Sequence, residues 1–395
     1  MIYLDHAATT RIAPEVLEAM LPYLTEQYGN PSALYLAGSA AKKAVSEARR
    51  SIASVIHGQA REIYFTAGGT ESDNWALRAG AESRRDRGRH IITTKIEHHA
   101  VLHTCGYLER NGYEITRLGV DREGLVDPEA VRSAIRPDTV LISVMLANNE
   151  VGTIEPVGEI GAIARERGIL FHTDAVQAFG QIPVDVESLH VDLLSASAHK
   201  LNGPKGVGML YIREGAGLDA FIHGGAQERN RRAGTENVPG IVGFGAAAAR
   251  AFGRLAEKGR KEQELRDYLI RRIRAEISEC RLNGSEEKRL PGNVNVSFPF
   301  LRGESIVLSL DMQGICASSG SACTAGSQEP SHVLLAIGLS EEEAHGSVRL
   351  TLSEDNTMEE MEQVAAALRQ ITGRLGEMSL AYCNARKEKS LRGRE

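Results

Sequence analysis

The sequence predicts an α/β fold with a mostly parallel sheet, joined to a smaller α+β lobe. From about residue 62, short β-rich runs alternate with longer amphipathic runs, which indicates strands connected by helices on both faces of a sheet. After Pro239 this alternation stops and long helical patterns take over. Because 395 residues exceed the size at which one core stops growing, we expect two unequal lobes.

The large lobe is predicted to begin with two helices, Glu15–Leu24 and Ser39–Ile56, that cover the sheet. Seven strand candidates follow: EIYFT, HIITT, YEITRL, TVLISVM, ILFHTD, VDLLSAS and VGMLYI. Amphipathic periodicity predicts the intervening helices over Ser72–Arg87, Ala100–Arg110, Pro128–Ile135 and Gly158–Arg167. Because open α/β sheets bind ligands beyond the carboxyl ends of their strands, functional residues are expected directly after these runs.

The small lobe is predicted from a long helical stretch between Pro239 and about Ser278. It continues with the run PGNVNVSF, a helix near Glu304–Met312, a loop rich in Ser, Gly and Cys, the strand SVRLTL and a closing helix from Thr357 to about Leu375. The predicted boundaries are residues 14–258 for the large domain, and 1–13 together with 259–395 for the small one.

Composition excludes several classes of partner. The net charge of −6 provides no basic surface for nucleic acid or acidic lipid, and no window of about 20 apolar residues indicates a membrane span. The first residues lack a signal-peptide pattern, so a cytoplasmic location is expected. The five cysteines are widely spaced without a zinc-ligand pattern, which predicts no metal site of the protein's own. A basic tail, 384–395, is interpreted as a solvated terminus.

The run FTAGGTESDN indicates an anion-binding turn. A strand ends near Thr66, Gly68 and Gly69 allow close backbone approach, and Thr70 opens a helix whose free N–H groups favour a phosphate. Neither a Walker motif nor a dinucleotide GxGxxG is present in it. Taken alone, the same turn is also typical of a purely structural helix start.

Two further strand ends provide an acid and an amine. Asp174 directly follows an apolar strand, where a poorly solvated carboxylate needs a cationic partner such as a protonated pyridine nitrogen, and Gln177 lies one helical turn later. Lys200 ends the next strand, where partial desolvation favours an imine-forming amine, and Ser197 and His199 are positioned to donate to phosphate oxygens. A helix N-cap and a surface lysine are the structural alternatives.

A single ligand, a phosphate ester that carries a ring, requires all three of these features: the phosphate cradle at Gly68–Thr70, the acid Asp174 and the amine Lys200. At this point the chain resembles the cysteine desulfurases of the NifS and IscS kind, in the class V aminotransferase superfamily of fold-type I pyridoxal-phosphate enzymes. The resemblance covers nearly the whole chain, through YLDHAATT, YGNPSA, IEHHAVL, ANNEVGT, HTDAVQ, SAHKLNGPKG, RRAGTEN, SSGSACTAGSQEPSHV and EEEAHGSVRL.

The resemblance implies roles for individual residues. Lys200 binds pyridoxal phosphate covalently, Asp174 faces the pyridine nitrogen, Gln177 faces the ring hydroxyl and His98 stacks on the ring and carries protons. Phosphate is held by four residues of the same chain and by one residue that reaches across a homodimer interface: Gly69, Thr70, Ser197, His199 and the partner-directed Thr235. The carboxylate of the substrate, L-cysteine, is held by Arg349 and Asn149, with Asn30 nearby; Asn149 also contacts the cofactor.

Cys323 lies in a segment of small and polar residues, SSGSACTAGSQEP, that reads as an exposed loop. The resemblance makes it the nucleophile that takes sulfur from cysteine as a persulfide and passes it to an iron–sulfur scaffold or another acceptor, with Cys323 as a transient cluster ligand there. Cys316, which follows an Ile, is expected to be a buried core residue.

Two rival functions are left open. One is a selenocysteine lyase or another β-eliminating relative; the other is a sulfur-carrier or scaffold-docking protein without catalysis. One departure from the family also stands out, because Ser353-Glu354-Asp355 occupies a place where the family commonly has an Arg-aromatic pair. This departure affects the packing and charge expected near Arg349.

Overall fold

The computed structural model describes residues 1–320, 329–379 and 382. Its strands are β1 (Ile2–Tyr3), β2 (Ile63–Thr66), β3 (His90–Thr94), β4 (Glu114–Leu118), β5 (Thr139–Ser143), β6 (Leu170–Asp174), β7 (Leu193–Ser197), β8 (Gly208–Ile212), β9 (Arg281–Leu282), β10 (Asn293–Ser297), β11 (Ile315–Cys316), β12 (Ser318–Ser319) and β13 (Ser347–Thr351). Its helices are α1 (Pro14–Thr25), α2 (Leu36–Val55), α3 (Gly69–Glu82), α4 (His99–Arg110), α5 (Pro128–Ala134), α6 (Val157–Arg167), α7 (Gln227–Asn230), α8 (Val238–Gly253), α9 (Leu255–Glu276), α10 (Gly303–Asp311), α11 (His332–Ala336), α12 (Glu341–His345) and α13 (Met358–Met378).

The seven predicted strands form one central sheet in the order β2-β8-β7-β6-β5-β3-β4. Neighbouring strands from β7 to β4 are parallel, whereas β8 runs antiparallel to both β7 and β2. Every residue of β5, β6 and β7 is buried, because helices pack on both faces of the sheet. The prediction of a mostly parallel seven-stranded sheet is confirmed.

A second apolar core lies in the small lobe. There β12, β13, β10 and β9 form an antiparallel sheet that packs with α9, α10 and α13. The first residues of the chain belong to this core, since β1 pairs with β11 and Leu4 is fully buried. The chain then passes Asp5, which bridges to Thr351, and reaches the large lobe at Ala7 and Ala8. This path brings the start of the chain to the edge of the central sheet.

Some predicted local features differ from the structure. The long helical stretch is split at Arg254 into α8 and α9, and α3 begins at Gly69 rather than at Ser72. Cys316 is half-buried, not a core residue, because β11 pairs only with the two-residue β1. The domain boundaries stay predictions. In the described part of the chain, no helix combines the length and apolar character needed to cross a bilayer.

The Ser353-Glu354-Asp355 departure makes its contacts away from Arg349. The Glu354 carboxylate pairs with Arg250 at 2.7 Å and with Arg254 at 3.0 Å, and both arginines belong to the α8–α9 region. The Glu354 backbone oxygen accepts a hydrogen bond from Lys261. Glu354 therefore connects the segment after β13 to α8 and α9.

Candidate active site

A cavity of about 370 Å³ lies beyond the carboxyl ends of β5, β6 and β7. The starts of α3 and α4 line it from the large lobe, and the Ala7–Ala8 segment and β13 close it from the other side. Ten of the residues predicted from sequence line this one cavity: Gly69, Thr70, His98, Asn149, Asp174, Gln177, Ser197, His199, Lys200 and Arg349. The structure therefore brings together side chains that are as much as 280 positions apart in the sequence.

Two predicted site residues lie elsewhere, and a third is not among the described residues. Asn30 is exposed, and its side-chain oxygen accepts a hydrogen bond from the Ser32 N–H at 2.9 Å, as in an ordinary turn. Thr235 is exposed before α8, so its predicted contact with a partner's phosphate stays a prediction. Cys323 lies outside the described residues.

Asp174 ends β6 as a buried carboxylate, only 5% exposed. Burial raises its pKa to about 6, although the Val176 N–H, which donates to it at 2.8 Å, and the charge of Lys200 both act to lower that pKa. The structure has a short turn here, not the helix whose N-cap was the structural alternative for Asp174, and the side chain both accepts the Val176 N–H in that turn and lines the cavity. Both roles therefore belong to the same side chain.

Lys200 follows β7 in a single 3₁₀ turn, Ala198–Lys200. Its ammonium donates to the backbone oxygens of Ala7 and Ala8, the latter at 2.8 Å. Gln177 also donates to the Ala7 oxygen, at 3.0 Å. The carbonyls of the YLDHAATT run thus hold both the amine and the amide in the cavity, a role that no side-chain pattern in the sequence could indicate.

The start of α3 has the form of an anion cradle. Gly68 is the N-cap of this helix, and within the described residues no side chain caps it. A Cβ on Gly69 would come within 2.6 Å of a Val176 methyl group, so only glycine allows the helix to start this close to the loop after β6. Thr70, Ser197 and His199 line the same opening.

His199 and His98 are both neutral at physiological pH, because burial and, second to it, the charge of Lys200 lower the pKa of each imidazole to about 4. His98 is the N-cap of α4, where its Nδ1 accepts from the Ala100 N–H at 3.1 Å. Since Nδ1 accepts, the proton of the neutral imidazole lies on Nε2. His98 therefore offers the cavity a hydrogen-bond donor.

Arg349 is almost fully buried in β13, at 3% exposure. Its guanidinium donates to the backbone oxygen of Asn149 at 2.9 Å and pairs with the Asp5 carboxylate at 2.9 Å. Among the described residues, its Nε–H has no hydrogen-bond partner. Two of the five N–H groups thus fix the guanidinium in orientation, and because Arg349 lines the cavity its remaining N–H groups can donate to a bound carboxylate.

Sequence reasoning missed two acids of this site. Asp5 orients Arg349 and lies in the motif YLDHAATT, and Asp73 lines the cavity and lies in FTAGGTESDN. Asp73 is four positions after Gly69 on α3, which places the two residues on one helix face. This spacing was the available signal for Asp73.

The residues present fit pyridoxal phosphate. The uncapped start of α3 suits a phosphate, and a buried carboxylate such as Asp174 suits a protonated ring nitrogen. Lys200 provides the amine that binds an aldehyde. Fold and site are those of a fold-type I pyridoxal-phosphate enzyme.

Comparisons with known proteins define the family. The model of the aminotransferase class-V family matches residues 2–364. Cysteine desulfurase IscS of Methanosarcina thermophila is 53% identical over 378 residues, which are 96% of this chain and 93% of the relative. Among solved structures, a NifS-like protein superimposes with a TM-score of 0.89 at 40% identity, covering 95% of this chain and 100% of the other. SspA in complex with cysteine gives a TM-score of 0.79 at 39% identity, covering 89% and 99%.

The chain belongs to the class-V aminotransferase family, and within it to the cysteine desulfurases of the NifS and IscS type. The fold, the family and the cofactor expected from the sequence are confirmed.

Proposed function

We propose that this protein removes sulfur from L-cysteine, releases L-alanine and carries the sulfur as a persulfide on Cys323. The observation that supports this most is the meeting of Lys200, Asp174 and Arg349 in one cavity, because cleavage of an amino acid requires both a cofactor site and a carboxylate-binding group. Relatives named cysteine desulfurase, and the similar structure that contains cysteine, support the same reaction.

When bound, pyridoxal phosphate supplies an electron-withdrawing ring that stabilises charge developing on the α-carbon of the substrate. Lys200 would hold it covalently, Asp174 would hold its ring nitrogen and Gln177 its hydroxyl. The phosphate would be held by the start of α3 and the end of β7: Gly69, Thr70, Ser197 and His199.

The substrate carboxylate would bind to Arg349. Asn149 and Asp5 orient the guanidinium from two sides, so little freedom is lost when the carboxylate binds. Because Arg349 is buried, the ion pair forms in a medium that screens charge weakly. The site is thereby specific for an α-carboxylate.

Proton movement is assigned to Lys200 and His98. The Lys200 amine lies in the cavity and, once it is no longer bonded to the cofactor, would be the base for the α-proton. His98 donates a hydrogen bond from Nε2; it takes up a further proton only when Nδ1 releases the Ala100 N–H. Its role as proton carrier therefore involves breaking that contact.

Described residues on both sides of the segment that contains Cys323 lie close to the cavity. Ser318 pairs with Arg349 in the small sheet, and the Gly320 N–H donates to the Ser347 oxygen at 3.3 Å. After the segment, Ser331 bonds to the buried Glu150, which is the neighbour of Asn149.

The sulfur atom moves from the substrate to Cys323 in one displacement. The Cys323 thiolate attacks the sulfur of the substrate, a sulfur–sulfur bond forms and the Cβ–S bond breaks. The electron pair of the broken bond stays with the carbon skeleton, whose Cβ takes one proton and whose Cα regains the proton that Lys200 removed, while the thiol proton of the substrate is released. The products are alanine and a persulfide.

The wider setting is proposed from the same family. A homodimer would bring the exposed Thr235 of one subunit to the phosphate of the other. Delivery of the sulfur to an iron–sulfur scaffold or another acceptor, and a cytoplasmic location, are further proposals that relatives named IscS support. A preference for selenocysteine is the alternative within the family.

The test is the Cys323→Ala variant, assayed with L-cysteine for alanine and sulfide. We expect it to keep the visible absorption of the bound cofactor and to lose both products, whereas Cys280→Ala, which changes a half-buried cysteine that does not line the cavity, keeps them. Unchanged turnover in Cys323→Ala would refute the persulfide. A higher kcat/KM for selenocysteine, with turnover that survives Cys323→Ala, would favour the lyase.

A further inference from the structure

A polar layer lies between the central sheet and α3, inside an otherwise apolar interior. It consists of Ser143 on β5, His172 and Asp174 on β6, Ser195 on β7 and Asp73 on α3, all buried. Ser143 is opposite His172 and Ser195 is opposite Asp174 in the strand register, so the strand residues share one face of the sheet. Burying polar groups costs free energy unless they form hydrogen bonds with one another, so a polar layer at this position needs a physical explanation.

His172 connects the layer. Its Nδ1 lies 2.9 Å from the Ser143 Oγ and its Nε2 lies 3.0 Å from the Ser195 Oγ. Asp73 lies beside them, with one carboxylate oxygen 3.6 Å from the His172 Nε2. That oxygen has no hydrogen-bond partner among the described residues, although Asp73 is only 1% exposed and lines the cofactor cavity.

The charges around Asp73 favour its acid form. His172 is neutral, because burial lowers its pKa to about 3, so it provides no cation for Asp73. Burial, and the nearby carboxylates of Asp174 and Glu97, raise the pKa of Asp73 well above its usual range, although a hydrogen bond with Ser195 acts to lower it. Lys200 is the cation that acts on Asp174. Asp174 accepts the Val176 N–H at 2.8 Å, whereas one oxygen of Asp73 has no donor among the described residues, so of these two buried acids Asp174 is the one whose charge is stabilised.

We propose that Asp73 is a positioning residue of the cofactor site: it stays in its acid form beside Ser195 and His172, and so leaves Asp174 as the charged member of the pair. The charge that meets the ring nitrogen of pyridoxal phosphate is thereby confined to Asp174. Asp73 lies against the His172–Ser195 pair, with one carboxylate oxygen 3.6 Å from the His172 Nε2. This inference rests on the proposed cofactor site and assigns a function to an acid that the proposed reaction does not use.

The test compares Asp73→Asn with Asp73→Leu in the full-length protein. An amide has the shape and polarity of the protonated acid but no charge, so we expect Asp73→Asn to bind pyridoxal phosphate within about threefold of the unsubstituted protein. Leucine leaves the polar layer without this partner, and we expect binding weaker by roughly tenfold or more. Glu155→Gln is the matched control, because Glu155 is another buried acid with a raised pKa, of about 8, that does not line the cavity.

The pH titration of the visible band of the bound cofactor is the second measurement. The midpoints of Asp73→Asn and the unsubstituted protein are expected to coincide. A midpoint that moves by about one pH unit or more in Asp73→Asn means that Asp73 is charged, and overturns the proposal. Full binding by Asp73→Leu overturns it as well. If Asp73→Leu fails to fold, the Asp73→Asn titration still decides.

The proposed desulfurase function fails in a different way. If the unsubstituted protein binds pyridoxal phosphate but makes no alanine from cysteine, the proposed desulfurase function is wrong. The role of Asp73 in cofactor binding is decided separately, by the affinity of its variants and by the pH titration.

Discussion

Replacing Arg349 by lysine tests whether the buried guanidinium selects substrates by their carboxylate. Lysine keeps the positive charge but loses the planar fork and the contacts to Asn149 and Asp5 that orient it. A hydrogen bond to a charged group contributes about 1.5–3 kcal/mol, so we expect kcat/KM for L-cysteine to fall about ten- to a hundredfold. Steady-state alanine production measures this fall.

Two controls separate carboxylate recognition from damage to the fold. Cysteamine lacks the carboxylate, so its half-reaction with the cofactor, followed by the visible spectrum, is expected to be equally slow with arginine and lysine at position 349. Asp5→Asn removes the ion pair but keeps the guanidinium, and a smaller loss is expected for it. An L-cysteine kcat/KM that is unchanged in Arg349→Lys, or an equal loss for cysteamine, would show that Arg349 does not bind the carboxylate.

Two other predictions concern the charge of Asp174 and the hydrogen bond of Ser331, which follows the segment that contains Cys323. Burial raises the pKa of Asp174 to about 6, so its carboxylate is charged above that pH and protonated below it. The affinity for the cofactor, measured by equilibrium dialysis, is therefore expected to fall as the pH drops through about 6. In Asp174→Asn the affinity is expected to be weak and independent of pH in this range. Ser331→Ala removes both the N-cap of α11 and the hydrogen bond to Glu150, and it is expected to lower kcat roughly tenfold with little change in KM. Ser340→Ala is the control: it removes only the N-cap of α12 and is expected to leave kcat unchanged. Equal kcat values for the two serine variants would argue against a role of Ser331 in sulfur transfer.

Much of the site could be predicted because its groups follow strands. Asp174 ends β6 and Lys200 follows the end of β7, its parallel neighbour, and the carboxyl ends of such strands meet at one edge of the sheet. Their chemistry was therefore readable from local sequence. Arg349 could be named only through the resemblance, since it lies in the other lobe and reaches the cavity through tertiary packing.

Contacts between distant segments could not be predicted. Asp5 pairs with Arg349 across 344 positions, and the Ala7 carbonyl that holds Lys200 has no side-chain signature at all. Asp73 looked like a polar residue of an amphipathic helix, and only the fold shows that it faces a sheet surface bearing His172 and Ser195. The break at Arg254 was missed because amphipathic periodicity continues on both sides of it.

The central claim is that sulfur passes from L-cysteine to Cys323 while alanine forms. Its most direct test is a single turnover of the cofactor-loaded protein with sulfur-labelled L-cysteine and no acceptor, followed by thiol alkylation and peptide mass spectrometry. We predict one labelled sulfur per subunit on the peptide that contains Cys323, with an equal amount of alanine. Label on the peptides of Cys105, Cys280, Cys316 or Cys383, or alanine without any bound sulfur, would contradict it.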